Sequence, residues 1–234
     1  MLTHAHMTDN LYDGVIVDKP WGHEYLMFQN QDAALWCLFL RRGECTSLHC
    51  HPRKKTGLIV LSGSATLRFL NNSSTLVSPA NVMIRAGLFH QSAADLGTDV
   101  VLIEIESPVD KTNLVRLKDE YGREKAAYED VSAARPVDET FLRLPQPVEG
   151  ETPTWQFHGR TLRLYRVSDA APFAAALQPS DIVIILDGGL FTDDGEPILS
   201  AGDSVSASTL QRLSRSFGSP KGLAALVVLG ASAA

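Results

Sequence analysis

Apolar runs of strand length, each punctuated by glycine, proline or asparagine, are what most limits the folds open to this chain. AALWCLFLRRGE, TGLIVLSGSATLRFLNN, STLVSPANVMIRAG and TDVVLIEIESP follow one another over residues 33–108. None carries the 3.6-residue repeat of an amphipathic helix, and short strands at regular spacing predict an all-β sandwich or barrel. Alternation in ATLRFL turns one face toward water. In VVLIEIE the period of two puts Glu104 and Glu106 on a common face.

The stretch over residues 111–153 reads differently, being charged at first and then rich in Pro and Glu. It predicts a short helix and a linker. Three parts follow: a first β domain over 14–125, a helical linker over 126–150 and a second β domain over 151–232. The second domain repeats the first. LIVLSGSATLRF resembles VIILDGGLFTDD, aligning Gly63 with Gly188, and LVSPANVMIRA resembles ILSAGDSVSAS, aligning Asn81 with Asp203. In this register the paired histidines of the first copy fall opposite FAAALQ, and His90 falls opposite Arg212. Any chemistry therefore belongs to the first copy, and the second is a degenerate structural one.

That chemistry centres on GECTSLHCHPRKKTGLIVLSG, residues 43–63. On a strand His49 and His51 point the same way, because side chains alternate faces. IRAGLFHQ brings His90 in after a glycine turn, at the start of another strand. Three imidazoles suit a divalent ion (Zn, Mn, Fe or Ni) and leave coordination positions for water or substrate. The basic run Arg53-Lys54-Lys55 follows directly. Such cations hold phosphate by charge-assisted hydrogen bonds, though only one of two consecutive lysines on a strand can face inward.

The spacing Gly43-x5-His49-x-His51-x11-Gly63, with Arg85-Ala86-Gly87-x2-His90, resembles the two motifs of the cupin superfamily. More narrowly, DKPWGHEYLMF, TSLHCHPRKKTGLIVLSGSA, IRAGLFHQ and VLIEIESPVDKTNLVRLKDEYGRE are similar, in order, to segments of the C-terminal cupin domain of type II mannose-6-phosphate isomerases. The resemblance covers about residues 18–124. It implies two jelly-roll cupin domains and a metal held by His49, His51 and His90. It also implies action on a phosphorylated or nucleotide-linked sugar by aldose–ketose isomerisation or epimerisation. Lys54, Lys55 and Glu104 are the candidate catalytic groups, and Trp21, Arg53 and Arg123 the candidate substrate contacts. One departure matters: the position of the family's glutamate ligand holds Thr56, and no acidic residue lies between His51 and Gly63. A three-histidine set also resembles iron cupin dioxygenases, and a non-catalytic sugar-binding or regulatory cupin is a further alternative.

Composition narrows the setting. A net charge of −6 gives no general attraction to nucleic acid or anionic membrane, and no apolar run reaches the length of a membrane helix. Three cysteines crowded into positions 37–50, behind a polar N-terminus, predict a reduced, cytoplasmic setting rather than a disulfide framework. Cupins often pair through sheet edges, so a homodimer is the expected assembly.

Overall fold

The computed structural model describes residues 11–125 and 134–230. In the first half the strands are β1 (Val15–Lys19), β2 (Gly22–Gln29), β3 (Ala34–Leu40), β4 (Leu48–Cys50), β5 (Lys55–Ser62) and β6 (Ser64–Phe69). They continue with β7 (Ser73–Val77), β8 (Ala80–Ile84), β9 (His90–Ala94), β10 (Val100–Ser107) and β11 (Val115–Lys118), and β12 (Arg135–Pro136) returns to their edge. Two antiparallel sheets result, in the orders β12-β1-β2-β3-β10-β5-β8 and β11-β4-β9-β6-β7. They close on each other as a jelly roll, with Trp36, Leu38, Val60 and Leu102 of the larger sheet packed against Ala65 and Ala94 of the smaller.

The second half contains β13 (Thr154–Phe157), β14 (Arg160–Val167), α1 (Ala170–Ala176), β15 (Ile182–Phe191), β16 (Pro197–Ser200), β17 (Ser204–Ser206), α2 (Ala207–Leu213) and β18 (Leu223–Val228). One sheet forms, in the order β13-β14-β18-β15-β16, with β17 also on β15. The chain is thus all-β in class, and among the described residues its two helices both lie here.

The repeat is visible in the pairing. β18 lies between β14 and β15 as β10 lies between β3 and β5, and β17 borders β15 as β8 borders β5. Gly63 and Gly188 sit at the same bend, both at positive φ. A Cβ on either would meet a backbone carbonyl, 2.5 Å from Asp99 O or 2.2 Å from Gly222 O. Only glycine fits such a crossing.

The copies differ in their second layer. Where the first half has β4 and β9, the second has α1 and α2. Asp169 caps α1 by accepting from Ala171 N, and Pro172 stands in the first turn, where its missing N–H costs nothing. Ser206 caps α2 through Thr209 N. The helices pack together, Gln211 Nε2 donating to Ala174 O and Leu177 O at 3.1 and 3.0 Å.

The two halves share a core. Period-two alternation sends Leu35, Cys37, Ile59, Leu61, Val101, Ile103 and Ile105 to the outer face of the larger sheet. There they pack on Leu162, Leu164, Ile182, Ile184 and Leu226 of the second half. Each buried Leu or Ile contributes about 1.5–3 kcal/mol, so this interface welds the copies together. Residues 134–150, expected to continue a helical linker, instead run extended or in turns along the first sheet. Val15 pairs with Pro136, and Leu144 N donates to Met27 O at 2.8 Å. Residues 126–133 of that expected linker lie outside the described residues.

Candidate metal centre

Strand pairing assembles the site. His49 lies opposite His90 across β4 and β9, and opposite Arg116 across β4 and β11. Residues directly opposite in an antiparallel pair share a face, so His90, His49 and Arg116 form one row across three strands. His51 stands on the same face one step beyond β4 and is tied to the turn before β9, its carbonyl accepting from Gly87 N at 2.8 Å. The ring centroids of His49 lie 4.9 Å from His51 and 4.6 Å from His90, with 5.5 Å between the latter two.

Each ring is oriented by its Nδ1. His49 donates to Ser47 O at 2.8 Å, His51 to Asn113 O at 2.7 Å and His90 to Leu88 O at 3.0 Å. A backbone carbonyl can only accept, so the proton sits on Nδ1 and each Nε2 carries a lone pair. That is the tautomer a metal requires. The three side chains offer ligand atoms within 4.8 Å of one another, and the buried Nε2 of His51 has no hydrogen-bond partner. Burial lowers all three pKa values. Desolvation pushes His51 down to about 3, with the Lys54 charge adding to the effect, and takes His49 well below its ordinary value, helped by its imidazole neighbours. His90 is lowered by desolvation too. Three neutral imidazoles, pre-oriented and converging, fit a divalent metal ion.

Glu104 on β10 adjoins this group, its Oε1 4.0 Å from His51 Nε2. That is beyond hydrogen-bond length, and with His51 neutral it is not an ion pair. Below it Glu106, fully buried, accepts from Trp36 Nε1 at 3.1 Å and pairs with Lys54. Lys54 Nζ also donates to Asp110 O at 3.0 Å. Thr56 is buried on β5 beside Glu106, its hydroxyl without a partner.

An open cleft of about 480 Å³, its mouth included, is lined in part by His49 and His51. Trp21 and Leu38 supply apolar wall, and Lys19, Lys111, Arg116 and Arg123 bring cationic groups. Lys111 Nζ stands 3.0 Å from Glu24 and 3.6 Å from the Trp36 ring centroid. Arg123 pairs with Asp119 at 2.7 Å.

Of the residues singled out in the sequence, the structure brings His49, His51, Lys54, Glu104, Trp21 and Arg123 to the pocket lining, with His90 against His49. Arg53 and Lys55 lie elsewhere. The Arg53 side chain is 73% exposed and pairs with Asp110. Lys55, on the opposite face from Lys54, reaches the second half and donates to Ser200 Oγ and Asp203 Oδ1 at 3.0 and 2.7 Å. Sequence reasoning did not single out Lys19, Lys111 or Asn113. They come from β1 and from the loop between β10 and β11, inside segments quoted for their family resemblance, but nothing in one sequence sets them apart there. His23 stacks on Phe39, outside the pocket lining. All three cysteines are free and buried, and no described helix is long and apolar enough to cross a membrane.

No protein-family model matches the chain, and no curated protein matches it. Several solved structures align with part of the chain. KdgF from Halomonas sp. aligns over 41% of this chain and 88% of its own, at 20% identity and a TM-score of 0.38. An uncharacterized conserved protein with a double-stranded β-helix domain from Klebsiella pneumoniae aligns over 46% and 83%, at 13% identity and 0.39. The capsular polysaccharide assembling protein CapF from Staphylococcus aureus aligns over 44% of this chain and 34% of its own, at 19% identity and 0.41.

Proposed function

We propose that the first half, residues 14–125, is a metal-dependent cupin enzyme acting on a phosphorylated or nucleotide-linked sugar by aldose–ketose isomerisation or epimerisation. Residues 151–232 serve as its structural partner. One observation carries the reading: three neutral imidazoles bring ligand nitrogens within 4.8 Å of one another, two of them lining a cation-rich pocket, with a carboxylate beside them.

His49, His51 and His90 would hold the metal, which supplies Lewis-acid polarisation of a substrate carbonyl. Glu104 adjoins the triad without belonging to the mutually close set, a position suited to a base that removes the proton next to that carbonyl. It takes over the carboxylate role left open by Thr56. Lys19, Lys111, Arg116 and Arg123 attract the anionic end of the substrate, while Trp21 and Leu38 offer an apolar wall to its ring. Lys54, paired with Glu106, places positive charge beneath the site.

Untagged protein, its metal content measured, should turn over at least one member of a panel of hexose phosphates and nucleotide sugars. Chelator should abolish that turnover. Glu104→Gln should lower kcat by roughly 100-fold or more, as loss of a general base does, with the metal still bound. Oxygen consumption with Fe(II) would replace this reading with a dioxygenase. Tight sugar binding without turnover would replace it with a binding protein.

A further inference from the structure

The loop of residues 110–114, between β10 and β11, does two jobs at once. Lys111 and Leu114 face the pocket. Asp110 and Asn113 face backward, onto the segment that carries His51. Asn113, 3% exposed, uses both of its oxygens there: its carbonyl accepts from His51 Nδ1 at 2.7 Å, and its side-chain Oδ1 accepts from Arg53 N at 2.9 Å. One residue thus grips the chain at the ligand and again two residues beyond it. Asp110 closes the other end of the loop, its carbonyl accepting from Lys54 Nζ at 3.0 Å and from Asn113 N at 3.1 Å. Its carboxylate accepts from Thr112 N and Oγ1 at 3.1 and 2.7 Å, which stiffens the turn between them. Glu106, buried, fixes the lysine in turn.

His51 has more need of such support than its partners. His49 and His90 each bond a carbonyl two residues away in their own segment, so local backbone sets their rings. His51 bonds one 62 residues distant. It lies at the end of β4, where the ladder has stopped, and its ring can keep its place only if that remote carbonyl does.

We infer that Asn113 is the positioning residue of His51: by clamping residues 51 and 53 together it fixes the ring and the Nδ1–H tautomer, with Lys54 and Asp110 as the anchor of the clamp. This rests on the metal reading above and assigns Lys54 a supporting role beneath the site. Outer hydrogen-bond partners of metal ligands typically govern 10–100-fold in affinity.

The test compares Asn113→Ala, which removes the Oδ1 grip but leaves the carbonyl, with Asn113→Asp, which keeps an acceptor oxygen in place. Zn(II) affinity, measured by competition with a chromophoric chelator, should fall 10–100-fold in Asn113→Ala and return to within about 3-fold of wild type in Asn113→Asp. The metal-free proteins should melt within a few degrees of each other. The long-range 15N–1H imidazole spectrum of metal-free protein should show His51 as the single Nδ1–H tautomer in the wild type and as a mixture in Asn113→Ala. Unchanged affinity and tautomer in Asn113→Ala would overturn the inference. So would a loss that Asn113→Asp does not restore and that tracks the fall in melting temperature, since that marks a purely structural role. If wild-type protein binds no divalent metal, the functional proposal fails, and the tautomer spectra alone still decide the positioning role.

Discussion

The two halves begin from one plan and diverge in the layer that could carry chemistry. In both, a long strand bends at a glycine and is flanked by the same neighbours: β5–β6 at Gly63, β15 at Gly188. In the first half the facing layer is a sheet, where β4 and β9 bring His49 and His90 into register. In the second it is a pair of short helices, and the position matching His90 is Arg212 on α2. A strand pair projects alternate side chains inward at fixed spacing. These helices instead turn Ala170, Phe173, Ala174, Ala207 and Leu210 onto the sheet and close over it as an apolar core. The shared sheet is thus a packing device, and the second layer decides which side chains face it.

The comparison breaks most sharply at the ligand positions. His90→Ala should cost more Zn(II) affinity than loss of any outer-shell partner, on the order of 100-fold or more, while Arg212→Ala leaves it unchanged. Chelator competition on both variants measures this. A metal affinity equally sensitive to Arg212 would mean that the layers are not as different as their geometry says.

Much of this was legible in advance, and what was not has identifiable causes. Period-two alternation correctly placed Glu104 and Glu106 on one face, because β10 keeps its register from Leu102 to Ser107 and its alternate residues fill two separate cores. Alternation also decides between Lys54 and Lys55, which leave the chain on opposite faces. The helices were harder. FAAALQ and ASTLQRL are rich in alanine and leucine and follow the capping residues Asp169 and Ser206, all local helix signals. Alignment to the first copy only set them opposite its histidine positions and said nothing of helices. The remainder of the pocket was not readable, since Lys19, Glu24 and Lys111 converge only through tertiary closure of the barrel. No spacing in one sequence encodes that meeting.

The glycine pair tests the common part of the plan. Gly63→Ala and Gly188→Ala each force a Cβ against a backbone carbonyl and a side chain into positive φ. Each should destabilise the protein by at least about 1–3 kcal/mol in denaturant unfolding, the usual cost of backbone strain. Comparable losses at the two positions would sharpen the repeat. A tolerated substitution at one alone would show that the two crossings are not equivalent.

The smallest effect concerns the seam between the halves. Lys55 crosses from the first copy to Ser200 and Asp203 of the second, but both partners of the ion pair keep a quarter or so of their side chains in water, 28% and 21%. Solvent screens such a contact, and exposed pairs contribute roughly 0.2–1 kcal/mol. Asp203 does not depend on it, since its other oxygen accepts from Ser200 N at 2.8 Å. Lys55→Met should therefore lower stability by less than about 1 kcal/mol, an effect that shrinks further as salt is raised, and should leave metal affinity untouched. The apolar face that includes Ile103, Ile184 and Leu226 holds the halves together whether or not this bridge is present. A larger loss on Lys55→Met would shift the weight of the seam from that core to its polar rim, and would make the second half something less than a welded partner.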